Sequence, residues 1–595
     1  MIVTVFAVFY VCLYFFFYHN DYLGQSPVLD GRENLSLAGQ IAEGNFAEEP
    51  FYRAMFYPWV LGQIGASTLS ALALGMLCHL ASACLLGGIA RIIWRSPAAA
   101  WTACLLYMIY PVALFFAGQA LDITLATSLF LAATLLYLRS FDVDGKKMFL
   151  QLAGAGLLYG LAVVTRPNFM PVLLVVPLCF VAVRWLSQSE RSYRVLALGM
   201  VVLGLGSWLP LLAQGLLNQR LSGEFQILPW QGAYNLYAAN REGANGKFYM
   251  QRLAFDAVPE GMNPTRMESV YLYRQAHPDS GPNPPIHSMN SYWRGKMVEE
   301  LQQDPLSWGG LMLRKVVYLF NDWEQYNNLS YPYHKERLDL LAWNPLGWGV
   351  LILGALGGVW LGWGRLQKPE ASALLLIGLA YAAGVLLFFV SARFRLPLAP
   401  LLVVACSGLA VVPWRTFNRR ALAPLIVVLL VVATVTFGNW FEARDRASFI
   451  QDELLLANAA LRVGEDPAAA RFAQAGLTRD PARQDLRRLL VTAQFNQWLV
   501  AEGAEAVAIW DALTNSLPQL EADDAGTLFI HGLVQWRSGE QESAIQIWQS
   551  GVARFPAEAQ SCARALQAAG AERFFPDKDA MLQQVRELLS SGAQD

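Results

Sequence analysis

Residues 120–138 read ALDITLATSLFLAATLLYL, and this stretch decides what kind of chain it belongs to. It carries one charge, Asp122 near its start, and Arg139 follows directly. A helix that crosses a bilayer needs about 20 mostly apolar residues, because each adds about 1.5 Å across a hydrocarbon core of about 30 Å. Runs of the same kind recur on both sides. Eleven are readable: 1–18, 66–90, 98–117, 120–138, 149–165, 168–186, 195–217, 343–364, 371–390, 396–413 and 421–439. The first lacks the basic start and the small-residue cleavage site of a signal peptide, so it reads as an anchor. The sequence predicts an α-helical polytopic membrane protein with about eleven transmembrane helices.

Composition agrees. Of 595 residues, 55% are hydrophobic and 15% charged, where soluble domains carry about 25% charged residues. Lys and Arg number 44 against 46 Asp and Glu, so there is no basic excess to bind nucleic acid. Seven scattered cysteines include no paired spacing of the disulfide or zinc kind. His277, His287 and His334 are irregularly spaced. Neither a metal nor a cofactor is expected.

Basic residues give an orientation. With the N-terminus inside, the inside loops hold 13 Lys and Arg, and the short outside loops hold five: Arg32, Arg53, Arg166, Arg393 and Arg395. An odd number of spans then puts the C-terminal tail outside. Four regions follow: a membrane domain over 1–217 with a first outer loop at 19–65, an extracytoplasmic segment over 218–342, further membrane helices over 343–440, and a tail over 441–595. The 218–342 segment holds Trp230, Trp293, Trp308 and Trp323, too aromatic for a disordered linker. Within it 288–303 and 305–320 read as helices, the second capped by Asp304 ahead of Pro305 and lying against the membrane surface.

The tail repeats. Gly464, Gly503 and Gly539 are spaced by 39 and 36 residues, and Pro481, Pro518 and Pro556 by 37 and 38. Each unit reads helix, Gly turn, helix, Pro. This resembles the tetratricopeptide repeat of about 34 residues, whose stacked units offer a concave surface to a peptide or protein partner. A plain helical domain is the competing reading.

Charges near membrane depth are costly and point to function. Asp30 follows the first run in PVLDGRENLSLAGQIAEG, and Asp122 sits at the outer end of the fourth. Both also suit helix caps: Asp30 with Glu33 fits a capping box opening a helix at 31–43, and Asp122 precedes its own helix. Arg166 lies in the hairpin GLAVVTRPNFMPV, and Arg393 and Arg395 in SARFRLPLAPLL. Outside arginines want an anion. A lipid-linked phosphate matches their donor geometry, as does simple snorkelling to bulk headgroups.

Taken in order, these motifs resemble the GT-C membrane glycosyltransferases. The likeness is to bacterial proteins similar to dolichyl-phosphate-mannose protein mannosyltransferase and to the aminoarabinose transferase of lipid A. The acid after the first run, an amphipathic helix, PFYRAMFYPWVLG, ALDITLA, GLLYGLAVVTRPN and ARFRLPLAPLL carry the resemblance over roughly 1–440. GAYNLYAANREGANGKFY and LRKVVYLFNDWEQYNN add to it.

The resemblance implies a GT-C fold and an inverting, metal-independent transfer of a sugar. The donor would be a polyprenyl phosphate and the acceptor a protein, lipid or glycan, at the outer face of a bacterial inner membrane. It gives Asp30 and Asp122 the catalytic acids' places. Arg53, Arg166, Arg393 and Arg395 take the donor-phosphate side, and Asn235, Tyr237, Asn240 and Glu324 the substrate loop. Gly31 departs from the Asp-Glu pair common in the mannosyltransferases. A repeat scaffold recruiting partner proteins, or a transporter, are the other classes the sequence allows.

Overall fold

A computed structural model describes residues 2–46, 50–187, 192–253, 263–412, 422–521 and 524–556. Among them there are helices and no named strand, with one isolated bridge between Asn327 and Leu329. Seven helices are long and apolar enough to cross a membrane: Thr68–Trp94, Ile123–Asp142, Gly145–Thr165, Pro167–Leu186, Tyr193–Ser222, Lys368–Leu387 and Ala392–Val411. Two bent pairs raise the number to as many as nine. The chain is therefore a multi-pass membrane protein. The two remaining expected runs form shorter apolar helices, Trp348–Gly362 and Leu422–Phe437. The first starts late because Pro345 keeps 344–347 out of the helix, with the Asn344 side chain accepting from the Leu346 amide at 3.0 Å.

Residues 413–421, with Arg415, Arg419 and Arg420 of the inside-loop count, lie outside the described residues, as does the tail beyond 556 with Cys562. The chain divides into two compact units, Met1–Arg446 and Ala447–Asp595.

In the first unit small residues set the helix spacing. Gly156 and Gly160 face Tyr193–Ser222 so closely that a Cβ on them would stand 2.4 Å from the Leu203 carbonyl oxygen and 2.3 Å from that of Ser207. In lipid, where apolar burial between helices gains little, such small-xxx-small contacts let backbones touch and drive packing. Gly75 does the same for the segment ahead of Asp122: a Cβ there would be 2.0 Å from the Ala117 carbonyl oxygen.

The expected single run 98–117 is two helices, Pro97–Met108 and Pro111–Gly118, bent by 51°. Pro111 has no N–H to continue the ladder, and it holds Tyr110 extended at φ −67°, ψ 111°. The freed carbonyls find other donors. His79 Nε2 is 3.0 Å from the Met108 oxygen, and Asn344 Nδ2 donates to Ile109 at 2.7 Å.

The first run also ends in a bend. Tyr22–Ala42 turns 75° from Val3–His19, which lays the helix Leu29–Ala42 across the end of the bundle.

The described residues of the 218–342 segment form helices at Gln231–Asn240, Pro264–Ala276, Ile286–Gln303, Pro305–Phe320 and Tyr331–Arg337. The first three gather around Trp230, Tyr234, Tyr237, Tyr273 and Trp293. Glu268 is fully buried there and is satisfied on all sides. It accepts from Tyr234 Oη, from Tyr249 Oη at 2.7 Å, and from the amides of Arg252 and Leu253 at 2.6 and 3.0 Å. Burial would raise its pKa, but these donors outweigh it and hold the carboxyl below its ordinary value. Pro305–Phe320 opens as expected, with Asp304 accepting from the Ser307 amide at 2.9 Å. It buries Leu311, Tyr318 and Leu319 and leaves Leu306, Leu313, Val316 and Phe320 exposed.

The described residues of the second unit form helix pairs: Phe449–Arg462 with Asp466–Arg479, Gln484–Val500 with Gly503–Ser516, and Ala525–Arg537 with Gln541–Arg554. Gly464, Gly503 and Gly539 take positive φ of 80°, 59° and 89°, which is why glycine recurs at these turns. First helices of successive pairs also touch, so the pairs stack. Trp498, Trp536 and Trp548 fill their core.

Candidate active site

Five chain segments meet where the helix Leu29–Ala42 crosses the bundle. Neither aspartate serves as the cap it resembles. The first helix starts after Val28, so Asp30 lies inside its first turn and makes no capping bond. Its Oδ2 accepts from Arg393 Nη1 at 2.7 Å and lies 3.7 Å from Arg53 Nη2. Asp122 does precede the helix Ile123–Arg139. Its backbone is already helical, at φ −62° and ψ −24°, unlike the extended backbone typical of a cap, and its side chain caps nothing. Instead Asp122 Oδ1 accepts from Arg166 Nη1 at 2.8 Å. Two guanidiniums this close keep Asp30 ionised.

Local packing explains each placement. Asn34, one turn beyond Asp30, donates from Nδ2 to the Ala120 carbonyl at 2.9 Å and ties this helix to the segment carrying Asp122. Gly31 faces the same segment, where a Cβ would lie 3.4 Å from Pro27 Cβ and 3.7 Å from Ala120 Cβ. Arg53 sits on a short non-helical bend clamped by the 218–342 segment and the end of the helix before it. Trp230 Nε1 donates to Pro50 at 3.1 Å, the Phe51 amide donates to Asn218 Oδ1 at 3.1 Å, and the Tyr52 and Trp230 rings meet edge to face at 4.6 Å.

The turn Ala392–Arg395 presents Arg393 on one register and buries Arg395 on the next. Phe394, between them, links the two acid–arginine pairs: Arg166 lies 4.6 Å over its ring and Arg393 lies 5.8 Å over it. Tyr381 Oη donates to the Phe394 carbonyl at 2.8 Å and fixes the ring's backbone. Nε and Nη2 of Arg166 and Nε of Arg393 are buried and make no hydrogen bond. Buried guanidinium donors without acceptors are rare in finished interiors and mark the place where an anion would complete the site.

Of the residues singled out from sequence, the structure brings Asp30, Asp122, Arg53, Arg166 and Arg393 together. Arg395 needs correction. It is 1% exposed, and every nitrogen of its guanidinium is taken. Nε donates to Glu324 at 3.1 Å, Nη1 to the carbonyls of Tyr318 and Asn321 at 3.0 and 2.5 Å, and Nη2 to that of Trp323 at 3.1 Å. No donor remains for a phosphate. Three of the substrate-loop residues are likewise occupied with holding the fold. Asn240 donates to the Leu236 and Leu387 carbonyls, both at 2.8 Å, and accepts from Lys315 Nζ at 3.0 Å. Tyr237 stacks on Trp293 at 5.1 Å, and Glu324 pairs with Arg395. Asn235 is half-buried on the same helix as Tyr237.

Sequence reads Glu33 only as the capping-box partner of Asp30, and it gives Phe394 and Tyr381 no role. Glu33 had a legible signal: it stands three residues after Asp30, on the same helical face, and it takes the other nitrogen of Arg53. The roles of Phe394 and Tyr381 depend on contacts between distant segments. Neither a model of a known protein family nor a curated protein matches this chain.

Proposed function

We propose that the chain is a membrane glycosyltransferase that moves a sugar from a polyprenyl-phosphate donor to a hydroxyl-bearing acceptor, a protein, lipid or glycan, on the extracytoplasmic face. One observation carries this reading. Two aspartates far apart in sequence converge with three arginines at one end of the bundle, and two of those arginines keep buried N–H groups unused. Transfer from a lipid phosphate asks for that set. A carboxylate takes the acceptor's proton as the hydroxyl oxygen bonds to the sugar carbon. Cations stabilise the phosphate as it departs with the electron pair.

The ion pairs suggest an order of events. Arg393 is shared between Asp30 and the incoming phosphate. Donor binding draws Arg393 and Arg166 to the phosphate, loosens Arg393 from Asp30, and leaves that carboxylate free for the acceptor. Asp122 holds Arg166 in place, and Glu33 holds Arg53. The helix pairs of the second unit, read as tetratricopeptide-like, recruit an acceptor or partner protein and do no chemistry.

A transport reading has one observation in its favour, the broken span at 109–111, since discontinuous helices build transporter sites. Here His79 and Asn344 occupy the carbonyls freed at that break, which favours the enzyme. The test is turnover of a radiolabelled polyprenyl-phosphate sugar by the purified chain with a hydroxylated acceptor. Donor flipping without transfer would replace this reading with transport. Reporter fusions should also place residue 450 and the 218–342 segment on the extracytoplasmic side. A cytoplasmic signal after 450 would mean that the spans are miscounted by an odd number.

A further inference from the structure

Arg393 and Arg395 stand two residues apart on one turn, and each holds a carboxylate, Asp30 at 2.7 Å and Glu324 at 2.9 Å. The surroundings of the two acids differ. Glu324 is 4% exposed; its Oε2 takes Arg395, while its Oε1 is buried and accepts no hydrogen bond. Tyr110 and Tyr331 lie within reach of its charge, and the hydroxyls of both are also buried and without a partner. Tyr110 stands at the break between Pro97–Met108 and Pro111–Gly118, and the Tyr331 ring packs on Phe115 at 5.5 Å. Two more orphan polar atoms occur in the segments that frame Glu324: Asn327 Oδ1 in its own loop and Ser391 Oγ at the start of the turn. Buried polar atoms rarely go unpaired, and a group of them around one carboxylate calls for ordered water, which makes about three hydrogen bonds per molecule.

We propose that Glu324 Oε1 and the hydroxyls of Tyr110 and Tyr331 form a hydrated, buried proton-accepting site that receives the proton released at Asp30 during transfer. The origin of that proton rests on the glycosyltransferase reading; the site itself does not. As the acceptor oxygen bonds to the sugar carbon, the carbon–oxygen bond to phosphate breaks and its electron pair leaves with the phosphate. The hydroxyl proton goes to Asp30. Beside Arg53 and Arg393 that carboxyl gives up a proton readily. Asn328, whose side chain lies beside Asp30, belongs to the same loop as Glu324. Water along this loop carries the proton to Glu324 Oε1, which restores the Asp30 carboxylate, and Glu324 later returns the proton to solvent. The charged groups around Glu324 are Arg395, Lys335 and Asp322. Burial outweighs Arg395 and Lys335, Asp322 adds to it, and the carboxyl is pushed up to about 7, where it exchanges a proton near neutral pH.

The experiment is infrared difference spectroscopy of the purified full chain across a pH titration, alongside transfer assays. The wild type should show a protonated-carboxyl band that disappears with a midpoint near neutrality. Glu324→Gln should remove it, and Tyr331→Phe and Tyr110→Phe should shift its frequency. Thermal stability supplies a second readout. The folded chain keeps this proton above pH 4.5, the ordinary value, so the Glu324 contribution to stability falls as pH rises from 4.5 to about 7, and Glu324→Gln should flatten that slope. Turnover by Glu324→Gln should drop about tenfold or more with donor KM unchanged. A band that survives in Glu324→Gln, or its absence from the wild type, overturns the site. A wild-type pH–rate profile in Glu324→Gln overturns the relay while leaving the transferase reading intact. If the wild type transfers no sugar, the transferase reading and the relay fall together, and the infrared titration still decides the site.

Discussion

Purified Asp30→Asn is expected to transfer sugar about 10²–10⁴-fold more slowly than the wild type, the range lost with a general base, while binding donor at least as tightly. Both halves follow from one ion pair. The amide cannot take the acceptor's proton. It also removes the negative charge that holds Arg393 Nη1 at 2.7 Å, so Arg393 is free for the donor phosphate before any exchange of partners. A folding explanation is weak here, because Asp30 is not the cap of its helix and Arg53 keeps Glu33. The measurements are single-turnover transfer and donor binding on the same preparation. Near-normal turnover would remove Asp30 from the base's role and make Asp122 the next candidate. Loss of donor binding together with turnover would make Asp30 an organiser of the arginines.

Arg393→Ala and Arg395→Ala should fail in opposite ways, although the two residues are neighbours on one turn. Arg395→Ala takes the partner from Glu324, which then stays protonated, and strips donors from the Tyr318, Asn321 and Trp323 carbonyls. Each buried carbonyl left without a donor costs about 1–3 kcal/mol, so this variant should melt far below the wild type or fail to accumulate. Arg393→Ala keeps that anchor. It removes one charge-assisted contact to phosphate, about 1.5–3 kcal/mol, and donor affinity should drop roughly tenfold to a hundredfold with the fold retained. Melting curves and donor titrations in the same detergent separate the cases. An Arg395→Ala protein as stable as the wild type would contradict the buried anchor. An Arg393→Ala protein with unchanged donor affinity would contradict the phosphate role.

The contrast between these two arginines shows what sequence can and cannot assign. ARFR presents both as outward cations in a loop poor in them, and nothing in the spacing says which is free. The difference arises because carbonyls from 318–323, some 70 residues earlier in the chain, fold over one of them. Asp30 and Asp122 behaved similarly. Their local sequence fits helix caps, and only the distant Arg393 and Arg166 draw the carboxylates elsewhere.

Much of this protein was determined by its sequence alone. Hydropathy requires no partner, so the apolar runs marked the helices directly, apart from the Pro111 break and the late start after Pro345. Glycine at each left-handed turn and the recurring proline marked the helix pairs of the tail, because backbone conformation is a property of single residues. The tertiary structure alone decided which charges meet. Arg166 and Arg393 share the Phe394 ring, and Glu324 came to serve Arg395 in place of a substrate. Ion pairs and orphaned donors belong to segments brought together by helix packing. That packing is set by small residues such as Gly75 and Gly160, whose partners lie far along the chain and leave no local pattern.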